Sequence, residues 1–274
     1  MRKICIINQK GGVGKTTSVV NLAAGLSRSN RKVLIIDIDP QGCLAFCLHD
    51  ESTKDLYDYL IENADIRECV RPLGINLDII SSKETLTKAE TILSKEGNVT
   101  HLRRKLQNLQ GYDYVLIDCA PSLGILNQNA LLFCHEAFIP VSTDILGHRA
   151  LKRMKEAVEV LSKVFDHQIK VTKIIPTLYD RRVKVCKTVL KDIKNEYYEI
   201  VADPISYNSK LKEAPKTGQS IFSYDPKSQG AQDYLRLVKS VIYDEARVIK
   251  ECYPEKSPPV KTVKGGAKAL MVEA

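Results

Sequence analysis

The chain has 274 residues, of which 44% are hydrophobic and 27% are charged, and these proportions are typical of a soluble globular protein. No apolar run approaches the roughly 18 residues that a membrane span requires, which excludes a membrane-spanning helix. The formal net charge of +8 permits an acidic partner such as nucleic acid without requiring one.

This length suits one large domain of the doubly wound α/β type. We predict that domain over residues 1–252 and a disordered tail over residues 253–274, which contain three prolines and Gly265-Gly266. The eight cysteines stand singly without a C-x-x-C pair, and Met1-Arg2-Lys3 leads straight into a strand without a signal peptide. We therefore expect free thiols and a cytoplasmic protein.

A glycine-rich loop follows the first predicted strand. Ile4, Ile6 and Ile7 form the apolar run of a buried strand, and a helix-compatible run extends from Lys15 to about Arg28. The segment that joins them reads Lys10-Gly11-Gly12-Val13-Gly14-Lys15-Thr16-Thr17. Strand, glycine loop and helix in this order make a phosphate cradle. We predict that these eight residues bind a nucleotide, with Lys15 on the β- and γ-phosphates and the Thr16 hydroxyl on Mg²⁺.

The start of this loop departs from the usual pattern. The spacing G-x-x-x-x-G-K-[ST] would place a glycine where this chain has Gln9, and Lys10 follows. Lys-Gly-Gly-Val-Gly-Lys-Thr-Thr closely resembles the deviant Walker A motif of the ParA/MinD branch of P-loop ATPases. The resemblance implies a catalytic role for Lys10, which would reach the partner's phosphates across a nucleotide-sandwich dimer, as an arginine finger does in trans. The alternative is a solvated surface lysine.

Acidic residues end two further predicted strands. The strand Lys32–Ile38 runs into Asp37-Ile38-Asp39-Pro40-Gln41-Gly42, and a buried strand that begins near Tyr112 ends at Asp118. Both endings would lie at the carboxyl edge of the sheet, where open α/β folds bind ligands. We predict that Asp37 and Asp118 hold the Mg²⁺ shell. The resemblance implies that Asp39 lies in a switch near the γ-phosphate and helps to activate water.

The remaining predicted elements carry no catalytic motif of their own. We predict helices over Asp55–Ile61, Lys83–Leu93, His101–Leu109, Ile145–Val164 and Ala231–Glu251, and strands over Ile75–Ile80, Ala137–Val141 and Val171–Thr177. Cys119 and Cys134 raise the alternative of a redox ATPase similar to the nitrogenase iron protein, but we interpret them as structural thiols. After the Ala137–Val141 strand, Ser142-Thr143-Asp144 stands where the ParA family usually has glutamine, threonine and glutamate.

A basic segment extends from Arg181 to Lys194, with six basic residues and one acidic residue, Asp192. Apolar residues interleave with them, which predicts an amphipathic helix with a basic outer face. Such a face suits phosphate contacts that are insensitive to base sequence, although an ordinary solvated helix face is the alternative. The predicted DNA-binding residues are Arg181, Arg182, Lys184, Lys187, Lys210 and Lys212.

The last block that resembles the ParA family runs from Ile205 to Leu235. Here Ser206 replaces the family's proline, and Tyr207 and Lys210 replace arginines. Ser206 alters the segment that usually contacts adenine. Lys210 keeps the positive charge but loses the bidentate grip of an arginine on phosphate.

The resemblance covers roughly residues 1–245 and implies a function. It implies a P-loop fold with a doubly wound, mostly parallel sheet, ATP and Mg²⁺ as cofactors, and slow ATP hydrolysis that a partner stimulates. It also implies an ATP-dependent homodimer that binds DNA non-specifically and is associated with the nucleoid. With a ParB-like adaptor, this dimer would partition a chromosome or plasmid. No membrane binding is expected. The alternative is a ParA/MinD-like ATPase that positions a protein cargo.

Overall fold

The strands and helices were located in a computed structural model that describes residues 1–253, so the predicted tail beyond Tyr253 lies outside the described residues. The strands are β1 (Arg2–Ile6), β2 (Val33–Asp37), β3 (Arg71–Gly74), β4 (Leu77–Ile80), β5 (Tyr114–Asp118), β6 (Glu136–Ser142) and β7 (Lys170–Thr177). The helices are α1 (Lys15–Arg28), α2 (Cys43–Leu48), α3 (Leu56–Leu60), α4 (Ile66–Cys69), α5 (Leu86–Glu96), α6 (His101–Lys105), α7 (Ile125–Phe133), α8 (Ile145–Val164), α9 (Lys184–Tyr197), α10 (Ser209–Glu213), α11 (Ile221–Tyr224), α12 (Gln229–Tyr243) and α13 (Glu245–Cys252).

All these strands belong to one sheet with the order β3-β4-β2-β5-β1-β6-β7. The β3–β4 pair is antiparallel, and the other pairs in the described chain are parallel. Strand β1 lies between β5 and β6, and Asp118 pairs in register with Ile6 on one side and with Asp37 on the other. The carboxyl ends of β1, β2 and β5 therefore meet at one edge of the sheet.

Helices cover both faces of the sheet, which confirms the predicted doubly wound α/β fold. Cys5 of β1 and Ile7, which directly follows that strand, pack into a core with residues of α5, α7, α8 and α9. Ile4 and Ile6 point to the opposite face and pack with residues of α1, α11 and α12. Because both faces are covered, the central strands are apolar along most of their length and carry charged residues at their ends. None of the helices in the described residues has the length and apolar character to cross a membrane.

A buried ion pair fastens the edge of the sheet opposite the glycine loop. Arg2 and Glu136 are 2% and 0% exposed, and the Arg2 Nη2–Glu136 Oε2 distance is 2.6 Å. Arg2 Nη1 also donates to the Val241 carbonyl at 2.8 Å, and Thr172 Oγ1 and Tyr253 OH donate to the Glu136 carboxylate at 2.8 and 3.0 Å. The pair therefore joins β1, β6, β7, helix α12 and Tyr253, which follows α13, with its hydrogen-bonding groups satisfied.

Two predicted elements differ from the structure in their extent. The strand predicted over Ile75–Ile80 is confirmed as β4, which begins later, at Leu77. It pairs with β3, which was not predicted, in a hairpin whose turn residue Asn76 takes a left-handed backbone with φ of 60°. Asparagine tolerates this conformation, so the chain turns there and does not extend. The helix predicted over Ala231–Glu251 is two helices that meet at Asp244, whose carboxylate accepts a hydrogen bond from Lys173 Nζ at 2.6 Å.

Other predictions differ in their bounds. The helix predicted over His101–Leu109 ends at Lys105, and the helix predicted over Lys83–Leu93 runs from Leu86 to Glu96. Helix α8 has the predicted bounds, because an amphipathic stripe of five turns leaves little ambiguity. The short helices α2 and α4 were not predicted, since four to six residues give too little periodicity to recognise.

Candidate functional site

The glycine loop connects the carboxyl end of β1 to the first turn of α1. Gly12 and Gly14 have φ of 70° and 85°, a backbone region that residues with a Cβ rarely adopt. Gly14 is the residue before the first turn of α1, and it has no side chain to accept hydrogen bonds from the free amides of that turn. The Thr177 hydroxyl donates to the Val13 carbonyl at 2.8 Å and fixes the loop to β7. The arrangement is that of an anion site at a helix N-terminus.

Lys15 supplies a buried positive charge beside this loop. Its side chain is 8% exposed, and Nζ lies 3.5 Å from the Lys10 carbonyl oxygen. Burial lowers the pKa of Lys15, and the nearby carboxylates of Asp118 and Asp39 oppose that shift. The ammonium group is thus poorly solvated, and an anionic ligand would relieve that cost.

Thr16 and the acidic residues that end β2 and β5 lie together at one edge of the sheet. Thr16 Oγ1 donates to Asp118 Oδ2 at 2.6 Å, while Asp118 Oδ1 is buried without a partner in the described chain. Burial raises the pKa of Asp37 to about 7, and burial together with Asp37 raises the pKa of Asp118 well above its usual value. Two desolvated carboxylates side by side favour a bound cation or a proton.

This group fits Mg²⁺ as part of a shared shell. Its ligands would be the Thr16 hydroxyl and the Asp37 and Asp118 carboxylates, which are the hard oxygen donors that Mg²⁺ prefers. In residues 1–253 no group of three or more histidine, cysteine, aspartate or glutamate side chains has the arrangement of a complete metal site. The remaining ligands would therefore be water and phosphate oxygens, as is usual for Mg²⁺ bound with a nucleotide.

Asp39 lies in a turn that its own neighbours fix. Its backbone N–H donates to Asp37 Oδ1 at 2.9 Å, and its Oδ1 accepts a hydrogen bond from the Gln41 backbone at 3.0 Å. The Ser82 hydroxyl donates to the Asp39 carbonyl at 2.5 Å. The Asp39 carboxylate is half-buried, so it stays accessible at the rim of the site.

Lys10 points back into its own chain. Its Nζ donates to Asp144 Oδ1 and Oδ2, both at 2.8 Å, and to Ser142 Oγ at 2.9 Å. Asn8, which was not singled out from the sequence, accepts a hydrogen bond from the Lys10 amide at 3.0 Å and donates to the Pro140 carbonyl at 2.7 Å. The predicted reach of Lys10 into a second copy would require Nζ to leave this arrangement.

A polar cavity of about 430 Å³ lies beside the segment that differs from the ParA family. Ser206 has the backbone N–H that a proline lacks, and this N–H donates to Asp233 Oδ2 at 2.7 Å. Asp233 is 1% exposed, and sequence reasoning missed it because nothing in its local pattern marks it as buried. The cavity is lined by Tyr179, Asp180, Arg181, Arg182, Ser206, Tyr207 and Gln229.

The predicted basic face lies on α9. Lys184 and Lys187 are exposed, and the opposite side of the helix buries Val189, Leu190 and Ile193. The other predicted DNA-binding residues lie on neighbouring loops and on α10. Exposed Arg181 and Arg182 line the cavity, and Arg182 forms an ion pair with Asp180 at 2.8 Å. On α10, Lys210 forms an ion pair with Glu213 at 2.8 Å. The Lys212 ammonium lies 4.6 Å from the centre of the Tyr207 ring.

A doubly wound sheet with a glycine loop after its central strand is the fold of the P-loop nucleotide-binding proteins. Residues 1–171 match a family model described as an AAA domain. The chain is 36% identical over 245 residues to the sporulation initiation inhibitor protein Soj of Bacillus subtilis, with 87% of this chain and 97% of that protein covered. It is 33% identical over 251 residues to the chromosome partitioning protein ParA of Myxococcus xanthus, with 88% of each covered.

Solved structures give the same result for the fold. Cobyrinic acid a,c-diamide synthase from Mycobacterium smegmatis, with bound ATP analog and magnesium, superposes with a TM-score of 0.77 at 28% identity, covering 96% of this chain and 100% of that one. The septum site-determining protein MinD from Pyrococcus horikoshii, complexed with Mg-ADP, gives a TM-score of 0.75 at 26% identity, covering 91% and 98%. The chain belongs to the ParA/Soj family of the ParA/MinD superfamily, which confirms the predicted resemblance.

Proposed function

We propose that this protein is an ATP hydrolase that binds Mg-ATP at the glycine loop and uses nucleotide state to partition DNA. One observation carries the proposal: Thr16, Asp37 and Asp118 converge beside the buried Lys15, at the end of a helix whose first amides are free. The buried Lys15 ammonium suits a negatively charged polyphosphate. The neighbouring desolvated carboxylates suit a divalent metal ion bound to that polyphosphate. Relatives solved with an ATP analog or ADP and magnesium support this choice.

Each residue has a separate role in the proposed reaction. The amides of residues 11–17 and the Lys15 ammonium hold the phosphates, and Asp39 orients the attacking water from the rim of the site. Thr16, Asp37 and Asp118 would hold Mg²⁺, which when bound would offset negative charge on the phosphate oxygens. Lys10 of a second copy adds positive charge to the transferred phosphoryl group, so hydrolysis is slow until the copies pair.

The pairing of two copies would also make DNA binding depend on which nucleotide is bound. Each copy presents a basic face on α9 that includes Lys184 and Lys187. A dimer with two weak phosphate-binding faces binds DNA far more tightly than one face does. Once the first face is bound, the second face is held at a high effective concentration near the same DNA. The chromosome partitioning named for the Myxococcus xanthus relative supports DNA as the cargo. The family resemblance implies a ParB-like adaptor as the stimulating partner. We assign these activities to a single domain over residues 1–252.

Nucleotide binding is the first test. A fluorescent ATP analogue with Mg²⁺ should bind the wild-type protein and Lys95→Ala equally, because Lys95 is an exposed lysine far along the chain on α5. Lys15→Ala should lose binding, because it removes the buried cation from the site. Unchanged affinity in Lys15→Ala would rule out the proposed cradle.

DNA binding is the second test. Fluorescence anisotropy of a non-specific duplex should rise with Mg-ATP and stay low with Mg-ADP, and the ATP-dependent affinity should fall steeply with salt. Arg181, Arg182, Lys184, Lys187, Lys210 and Lys212 can then be replaced one at a time by alanine to find the contacts. Binding that is equal with both nucleotides would contradict the proposed coupling.

A further inference from the structure

The ion pair between Lys10 and Asp144 uses all the hydrogen-bonding capacity of the lysine. An ammonium group has three N–H donors and no acceptor. Here its three acceptors are Asp144 Oδ1, Asp144 Oδ2 and Ser142 Oγ, at 2.8, 2.8 and 2.9 Å. Lys10 therefore has no donor left for a phosphate while this arrangement persists.

The fold holds the acceptor side of this pair in place. Asp144 precedes the first turn of α8, and its Oδ1 accepts a hydrogen bond from the Gly147 amide at 2.7 Å. Gly147 lies so close to the Ser142 carbonyl that a Cβ would collide with it, which fixes the turn between β6 and α8. Breaking the pair therefore requires the lysine to move, because Asp144 is held by the first turn of α8.

Asp144 stays ionised near neutral pH. Partial burial would raise the pKa of Asp144, but hydrogen bonds from Lys10, Ser142 and the Gly147 amide outweigh it and hold the pKa below its usual value. The carboxylate is therefore a charged competitor for Lys10.

We propose that Asp144 is a positioning residue, which ties Lys10 to its own protomer and thereby raises the protein concentration at which nucleotide-loaded copies pair. The inference rests on the proposed function, in which Lys10 crosses to the triphosphate of a second copy. That triphosphate carries more negative charge than one carboxylate, so it can displace Asp144 once two copies meet. Each sandwich dimer requires two such exchanges, one for each copy.

The geometry sets the size of the effect. The pair is partly exposed, at 30% and 47%, so it is comparable to surface ion pairs. Such pairs change an equilibrium by about 1.4- to 5-fold. Because two pairs break per dimer, their loss should lower the dimer dissociation constant by roughly 2- to 30-fold, and high salt should shrink that difference.

Asp144→Asn is the sharpest variant, because asparagine caps a helix as well as aspartate does but carries no charge. Sedimentation velocity with Mg²⁺ and a non-hydrolysable ATP analogue would give the dimer dissociation constant at low and high salt. Glu159→Gln is the matched control, because Glu159 pairs with Lys155 on the same helix away from the site. Thermal unfolding of each variant without nucleotide would check the fold.

We expect Asp144→Asn to pair more tightly than wild type and Glu159→Gln to match wild type. Ser142→Ala removes one hydrogen-bond acceptor of Lys10 and keeps Asp144 as the cap of α8. It should lower the dimer dissociation constant as well, but by a smaller factor. A dissociation constant that is unchanged or higher in Asp144→Asn overturns the inference.

Lys10→Ala separates this inference from the proposed function. If Lys10→Ala fails to pair and Asp144→Asn behaves as wild type, the trans role of Lys10 stands and only the inference fails. If Lys10→Ala pairs normally, the trans role itself fails.

Discussion

Asp37 should make the nucleotide-free protein less stable as the pH rises toward neutrality. Burial raises its pKa from 3.8 to about 7, although the backbone amides of Asp39 and Leu44 donate to it. The folded state therefore keeps the proton over a pH range in which the unfolded state has lost it. Stability falls as the pH rises from about 4 to about 7, and the loss is complete above that window. Three pH units correspond to about 4 kcal/mol.

Asp37→Asn removes this titration. Asparagine cannot accept from both backbone amides, so the substitution also costs about 1 to 3 kcal/mol at every pH. The difference in unfolding free energy between the two proteins should then change by roughly 2 to 3 kcal/mol between pH 5 and pH 8, in favour of the variant at high pH. The chain has no tryptophan, so urea unfolding is best followed by far-ultraviolet circular dichroism, with EDTA and without nucleotide.

A matched control uses Glu84→Gln, because Glu84 is exposed at the surface before α5. Its unfolding free energy should follow that of wild type at every pH. Parallel pH profiles for wild type and Asp37→Asn would refute the reasoning, because they would show that losing the Asp37 carboxylate leaves the titration of the Asp37–Asp118 pair unchanged in this window.

Four further substitutions have defined outcomes. Arg2→Ala leaves the buried Glu136 carboxylate unpaired, so urea unfolding should show a loss of roughly 3 to 5 kcal/mol. Gly25→Ala forces a Cβ into the α1–α12 contact, and the same measurement should show a loss of about 1 to 3 kcal/mol. Asp39→Ala should slow phosphate release from Mg-ATP by roughly 10²-fold or more without loss of ATP binding; an unaltered rate would remove Asp39 from catalysis. Lys187→Ala should reduce the slope of log affinity against log salt for duplex DNA by about 0.9 for each copy in contact, or about 1.8 for the dimer, and an unchanged slope would remove Lys187 from the interface.

The elements that carry the glycine loop and the acidic residues could be predicted because each has a strong local pattern. Buried strands ending at Asp37 and Asp118 and the amphipathic α8 follow from apolar runs and helical periodicity. The β3–β4 hairpin could not be recognised, because its turn depends on a single left-handed residue, Asn76. The break at Asp244 was missed for a different reason: its carboxylate binds Lys173, which is distant in sequence.

The contacts within the site were harder to predict than the identity of the residues that form it. Spacing alone marks Lys10 as unusual, but its ion pair with Asp144 joins residues 134 positions apart and needs the β1–β6 pairing to exist. The same holds for Asp233, which reaches Ser206 across 27 positions. Periodicity describes neighbours along one element, whereas these contacts arise from how separate elements pack.

The central place of β1 has a consequence for synthesis. Its hydrogen-bonded neighbours are β5, which ends at Asp118, and β6, which ends at Ser142. A ribosome must therefore release about half of the chain before the first strand is flanked on both sides, and the glycine loop behind it has no fixed shape until then. A nucleotide cannot guide the early stages of folding; it can only be captured by a nascent domain whose middle is already assembled.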